Sequence, residues 1–207
     1  MTAIVDYRAG NLTSVRNAFA SIGAETEVTS DPAVVAAAER VVFPGVGAAK
    51  SAMRSLSDLG LADAVRAAAA EKPFLGICLG MQILFEHTEE DGGVDLLGVL
   101  PGRVRRFPDV PGFKVPEIGW NQVAGGDPQG LLEPEEDFYF VHSYYVETNP
   151  AAVGITEYAG VRFASAVCRG NLFATQFHPE KSGAAGLALL RKFVGCASSS
   201  PEGGRRC

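Results

Sequence analysis

The chain has 207 residues, a net charge of −6 and a pI near 5.1, which leaves no overall basic surface to hold a phosphate backbone, so nucleic acid is a poor candidate partner. With 47% hydrophobic and 20% charged residues it is too apolar to be disordered and long enough to bury a substantial core. Met1 to Asp6 lacks the basic start of a signal peptide and no apolar run could span a bilayer, so a cytoplasmic location without membrane attachment is expected.

Ala3-Ile4-Val5 is a short apolar run ending at Asp6-Tyr7, and a periodic segment from Leu12 to Ile22 follows. This reads as strand, turn and helix, with Asn11 as the helix cap and Gly23 as its end. A second strand is expected over Glu25 to Thr29 and a helix from Asp31-Pro32 through Ala38. Arg40 to Phe43 reads as a buried strand running into the loop Pro44-Gly45-Val46-Gly47, and Ala48 to Leu56 and Leu61 to Glu71 read as helices. Phe74 to Ile77 is a further buried strand, and Leu79 to Glu86 carries apolar residues at helical spacing. Alternating strands and helices predict an α/β fold with a central, largely parallel sheet flanked by helices.

After Glu89 glycine and proline become frequent and apolar residues alternate with polar ones, which predicts an added antiparallel section. Its expected strands are Gly102 to Phe107, Ile118 to Val123, Phe138 to Val141, Tyr144 to Glu147, Val153 to Glu157, Phe163 to Cys168 and Leu172 to Gln176. Ser182 is expected to cap a last helix, Ala184 to Val194. Residues 1–197 are read as one domain and the Ser/Pro/Gly-rich segment 198–207 as a disordered tail.

The reactive candidate is Cys78, held between Gly76 and Gly80 at the junction of an apolar strand and a helix-forming segment. A sharp strand-to-helix turn pushes its apical side chain clear of the sheet, and the following helix would favour a thiolate and offer the Leu79 N–H to an oxyanion. Cys168, Cys196 and Cys207 have no such setting, and no close pairing suggests a zinc site, so free thiols and no metal are expected. A thiolate needs a base. Of three histidines, His87 lies in a polar run and reads as a solvated surface residue, and His142 lies among aromatics as a packed or ligand-lining one. His178 ends an apolar strand two residues before Glu180, a spacing that in extended chain lets the carboxylate orient the imidazole. The glycines around Val46 permit a second oxyanion donor in the Pro44 to Gly47 loop.

Gly76-Ile77-Cys78-Leu79-Gly80-Met81-Gln82 together with Phe177-His178-Pro179-Glu180-Lys181-Ser182 resembles the class I, or triad, glutamine amidotransferases over about Ile4 to Val194. Asp6-Tyr7 with Gly10-Asn11, Pro44-Gly45-Val46-Gly47, Gly119-Trp120-Asn121 and His142-Ser143-Tyr144 resemble the histidine-pathway branch, the glutaminase subunits of imidazole glycerol phosphate synthases. The resemblance implies that Cys78 attacks the side-chain amide of glutamine, His178 shuttles the proton and Glu180 orients His178. It implies that Gln82, Gly47, His142, Ser143 and Tyr144 line the glutamine pocket, with no cofactor. It also implies that Asn11, Trp120, Tyr139 and Lys181 face a separate cyclase subunit with a (β/α)8 barrel, which receives the ammonia. Two positions depart from the branch: Pro116-Glu117-Ile118-Gly119-Trp120-Asn121 stands where Pro-His-Met-Gly-Trp-Asn is usual, and Ala49 stands where an aromatic usually follows the glycine loop. A paralogue serving another ammonia acceptor, a non-catalytic regulatory partner of a synthase, and a cysteine hydrolase of peptides or γ-glutamyl compounds are the competing readings.

Overall fold

The computed structural model describes residues 1–8, 11–128 and 130–196. The first half runs β1 (Thr2–Val5), α1 (Leu12–Ser21), β2 (Thr26–Thr29), α2 (Pro32–Ala37), β3 (Arg40–Gly45), α3 (Ala49–Asp58), α4 (Leu61–Glu71), β4 (Phe74–Cys78) and α5 (Leu79–Gln82). The second half runs β5 (His87–Thr88), β6 (Val94–Asp95), β7 (Arg103–Arg106), β8 (Glu117–Gly125), β9 (Glu136–His142), β10 (Tyr144–Val146), β11 (Ala152–Tyr158), β12 (Val161–Arg169), β13 (Leu172–Thr175) and α6 (Gly183–Gly195).

The strand order β2-β1-β3-β4-β13 forms the parallel part, and β13 turns the sheet antiparallel by pairing with β12 on its other edge. Beyond β12 the order continues through β10, β7, β5 and β6, while β11, β8 and β9 branch off from β12. Leu172 to Thr175, expected among the antiparallel strands, is therefore the seam, parallel to β4 and antiparallel to β12. Every residue of β1, β4 and β13 is buried, as continuous apolar runs covered on both faces must be. Alternate strand residues feed two cores. Ala3, Val5 and Phe43 pack with Leu56, Leu61 and Val65 of α3 and α4. Ile4, Leu75 and Ile77 pack with Phe19 of α1 and with Leu189, Leu190 and Phe193 of α6.

Several expected ends and caps differ. Asp31 stands before α2 as expected and caps it, its carboxylate accepting from Ala33 N at 2.8 Å. Asn11 precedes α1 but accepts the Ser14 hydroxyl at 2.7 Å instead of a backbone N–H. Helical periodicity predicted a helix through Glu86, yet α5 ends at Gln82, because Leu84 and Phe85 bond three residues back, to Met81 O and Gln82 O. Ile83, Leu84 and Phe85 are fully buried, so the apolar spacing there reported burial and not helix length. The two-residue strands β5 and β6 are too short to leave a periodic signal. His87, expected to be solvated, sits in β5 with its Nδ1 3.0 Å from Asp95 Oδ1. Cys78 and Cys168 are free thiols, whereas Cys196 is disulfide-bonded, which corrects the expectation of free thiols throughout. The expected tail lies outside the described residues, and among those described no helix is long and apolar enough to cross a membrane.

The turn after β4 depends on a close approach. A Cβ at Gly80 would lie 1.8 Å from the carbonyl oxygen of Phe43 in β3, so α5 meets the sheet at a distance only glycine allows. Gly80→Ala should therefore cost about 2 kcal/mol of stability, within the usual range for overpacking, while Gly195→Ala, with nothing within 4 Å of the added carbon, should change it by less than about 0.5 kcal/mol. Denaturant unfolding midpoints of the two variants check this.

Candidate active site

Cys78 ends β4 with φ +54° and ψ −110°, a conformation L-residues rarely hold. Such a residue costs about 1–3 kcal/mol and persists only where its surroundings impose it. Here β4 is clamped between β3 and β13, with Gly45 opposite Cys78 in the ladder, and α5 leaves immediately behind it. The side chain therefore stands at the carboxyl ends of the parallel strands, where open α/β sheets place their sites.

β13 delivers His178 to the same edge. Gln176, Phe177 and His178 follow its last residue, and the His178 imidazole and Glu180 carboxylate are both almost wholly buried with Nδ1 and Oε1 2.8 Å apart. Pro179 to Lys181 form a 3-10 turn and not the expected extended link, but His178 itself is extended, and the two side chains still meet. The His178 backbone is pinned from both sides, its N–H donating to Tyr139 O at 2.9 Å and its carbonyl accepting the Ser182 hydroxyl at 2.7 Å. Ser182, expected to cap α6, is spent on this job, and its oxygen also accepts Tyr139 N at 3.0 Å. With Nδ1 donating to the carboxylate, Nε2 is the nitrogen left over, and it is buried. Burial pushes the His178 pKa down, but the negative charge of Cys78 and then Glu180 outweigh it and raise the value to about 10.

A cavity of about 390 Å³ opens over Cys78. Val46, Gly47, Leu79, Gln82, His142, Ser143 and Tyr144, the seven residues assigned to oxyanion or substrate binding from the sequence, all line it. Lys181, assigned to a partner surface, lines it too, as do Glu90, Pro116 and Val141, which sequence reasoning missed. Glu90 is held by the Ala49 N–H at 2.6 Å, and burial raises its pKa against that bond. Nothing in its polar run, twelve residues after Cys78, distinguished it. Asn11 lies instead in a narrow crevice beside Gly45, Val46, His178 and Glu180.

A second buried carboxylate–imidazole pair adjoins the cavity. Glu117 and His142 are register partners in β8 and β9, and Oε2 and Nε2 lie 3.1 Å apart with both side chains nearly inaccessible. The departure at Glu117 thus supplies His142 with the carboxylate that no nearby sequence position offered. On the outer face of β8, Ile118 and Trp120 are 63% and 59% exposed. Trp120 packs edge-on against Tyr139 with ring centroids 6.2 Å apart, and Lys181 Nζ lies 5.9 Å over the other aromatic ring of that pair, Tyr139.

Because the folded pKa of His178, about 10, lies above its ordinary value of 6.5, the stabilisation tied to its proton is complete below pH 6.5 and is lost as the pH rises through 10. Removing Cys78 takes away the main influence holding that proton. NMR titration of Cys78→Ala should show the His178 midpoint falling, with roughly tenfold or more lower proton affinity; the alkaline loss of stability should shrink with it.

Comparison with known proteins places this geometry among relatives. Residues 3–195 match the family described as "Glutamine amidotransferase class-I". The imidazole glycerol phosphate synthase subunit HisH of Aromatoleum aromaticum is 53% identical, covering 94% of this chain and 98% of its own length. That of Methanothermobacter thermautotrophicus is 52% identical with the same coverage, 94% and 98%. Among solved structures, a glutamine amidotransferase superposes with a TM-score of 0.71 at 18% identity, covering 93% of this chain and 97% of that one. PurLQS from Thermotoga maritima gives 0.68 at 18% identity, covering 94% and 97%.

Proposed function

The chain belongs to the class-I glutamine amidotransferase family, and from that premise we propose that it is the glutaminase subunit of an imidazole glycerol phosphate synthase, working in histidine biosynthesis through Cys78, His178 and Glu180. The observation that carries the triad is the meeting of a strained cysteine apex from β4 with a buried imidazole–carboxylate pair from the end of β13. The identity of about half over nearly the full length with subunits of that synthase carries the pathway.

In this reading glutamine enters the cavity with its side-chain amide over Cys78. The thiolate sulfur bonds to the amide carbon and the carbonyl electrons move to oxygen, where N–H groups of Leu79 and of the Val46–Gly47 segment are the donors. The imidazolium gives its Nε2 proton to the amide nitrogen, the C–N bond breaks and ammonia leaves. Water then attacks the thioester, passing a proton to Nε2, and glutamate departs as the thiolate re-forms. Glu90, a carboxylate in the cavity wall, is opposite in charge to the α-ammonium group of glutamine.

Ammonia lost to water is wasted, so a docked acceptor is a chemical requirement. The exposed Ile118 and Trp120, with Tyr139 and Lys181 beside them and Lys181 reaching the cavity, support a docking surface for a cyclase subunit with a (β/α)8 barrel; Asn11 is assigned to the same surface. Aromatic anchors rimmed by polar groups are typical of binding hot spots. The reaction and the pathway fit a cytoplasmic complex.

Glutamate release should be slow for the chain alone and rise steeply on adding the barrel cyclase and its phosphoribosyl substrate. Cys78→Ala should abolish it, by about a thousandfold or more, as loss of a nucleophile does; persistent release by that variant in the complex sinks the reading. Trp120→Ala, an exposed change that leaves the fold intact, should weaken association with the cyclase about 30-fold, the effect of a lost aromatic anchor, as measured by titration calorimetry.

A further inference from the structure

Gln176 has no assigned role, yet it is fully buried and touches both Cys78 and the cavity-lining Gln82. Its N–H donates to Ser165 O at 2.8 Å, fixing its backbone. Its side chain bridges two site residues: Oε1 accepts Gln82 Nε2 at 2.9 Å, and Nε2 donates to the Cys78 sulfur at 3.7 Å.

A glutamine amide can be turned end for end, so its orientation needs an argument from its neighbours. That argument starts at the Tyr144 carbonyl, which can only accept. Gln82 lies 2.7 Å from it and must present its NH2 there, and His142 Nδ1 donates to the same oxygen, also at 2.7 Å. The second N–H of Gln82 then points at Gln176, which must answer with its oxygen. Only its nitrogen is left for the sulfur. Turning Gln176 over would set nitrogen against nitrogen and oxygen against sulfur, losing two buried hydrogen bonds at once. The far end of this chain of contacts is anchored on β8, where Glu117 faces His142 and accepts Asn121 Nδ2 at 2.8 Å.

Resting on the glutaminase reading of the site, we propose that Gln176 is a further catalytic residue, a permanent N–H donor to the Cys78 sulfur that stabilises it as an anion. The sulfur carries negative charge twice per turnover, before it attacks the amide and when the thioester is hydrolysed. His178 gives up its proton between those two moments, but an amide N–H does not titrate. A further contact of the sulfur, Val141 O at 3.9 Å, suits a thiol and repels an anion.

The test compares the full-length parent with Gln176→Glu, which keeps an oxygen towards Gln82 and removes the donor to sulfur, and with Gln176→Met, which fills the volume without polarity. In the complex with the cyclase, alkylation of Cys78 by iodoacetamide at neutral pH and kcat for glutamate release should each fall about tenfold or more, the effect of losing one hydrogen bond to a charged group, with KM within threefold. Folded variants that match the parent within twofold in alkylation rate and kcat overturn the proposal. So does a rise in KM alone, because Gln176 would then act only through Gln82 in the pocket. Should neither variant fold, the side-chain amide signal of Gln176 in the parent should shift when Cys78 is alkylated, and no shift overturns the proposal. A parent whose Cys78 resists alkylation and which releases no glutamate overturns the glutaminase reading itself, whereas a reactive parent with equally reactive variants overturns the role of Gln176 alone.

Discussion

The active centre depends on one constraint, the positive φ of Cys78 at the end of β4. That conformation turns the thiol out of the sheet and starts α5 in a single step, but it is unfavourable for an L-residue and must be imposed. Two contacts impose it. β3 and β13 hold β4 on both sides in parallel register, and Gly80 lets α5 lie against the Phe43 carbonyl where any side chain would collide. Tyr7 fills the space on the other side of the same loop, its buried hydroxyl where a side chain at Gly45 would go. The helix is only one turn long, so its dipole is a smaller influence than its length in sequence implied. The charges and donors around the thiol come instead from His178 and Gln176.

The second half of the chain supplies those groups, and its irregular order follows from the task. β13 belongs to both parts of the sheet, parallel to the elbow strand and antiparallel to β12. Its position beside β4 puts His178 next to Cys78 without any long loop. Because β9 hydrogen-bonds to His178 and Ser182 through Tyr139, the His178 backbone is pinned by the residue whose ring meets Trp120. The same β8–β9 pair carries Glu117 and His142 inward and Ile118 and Trp120 outward. Strand alternation alone thus sets a buried polar wall and an exposed apolar face on one ribbon, and a protein docked on the outer face would press on the wall of the cavity.

Much of this was legible in order along the chain. Continuous apolar runs marked β1, β3 and β4 because a strand buried on both faces has no polar positions, and the Gly-x-Cys-x-Gly junction marked the elbow because only a tight strand-to-helix turn needs that spacing. Of the seven cavity-lining residues, Gly47, Gln82, His142, Ser143 and Tyr144 were legible through motif resemblance, and Val46 and Leu79 through the glycine loop and the elbow. Local signals failed where tertiary contacts outbid them. Ser182 and Asn11 have the chemistry of helix caps, yet Ser182 is drawn to the His178 carbonyl and Asn11 to Ser14. Leu79 to Glu86 has helical spacing because all its apolar side chains face the core, not because the helix continues.

By itself the sequence determined the α/β alternation, the cysteine at the strand-to-helix junction and the carboxylate two residues beyond His178, since each rests on neighbours within a few positions. Only the tertiary structure decided which distant groups surround that cysteine. Glu90, Gln176 and the Glu117–His142 pair reach the site from separate elements, and the orientation of the buried ones follows from donors and acceptors that must match where they meet. No local pattern encodes such matching, because the partners are brought together by strand order, and strand order is set by the sum of the packing.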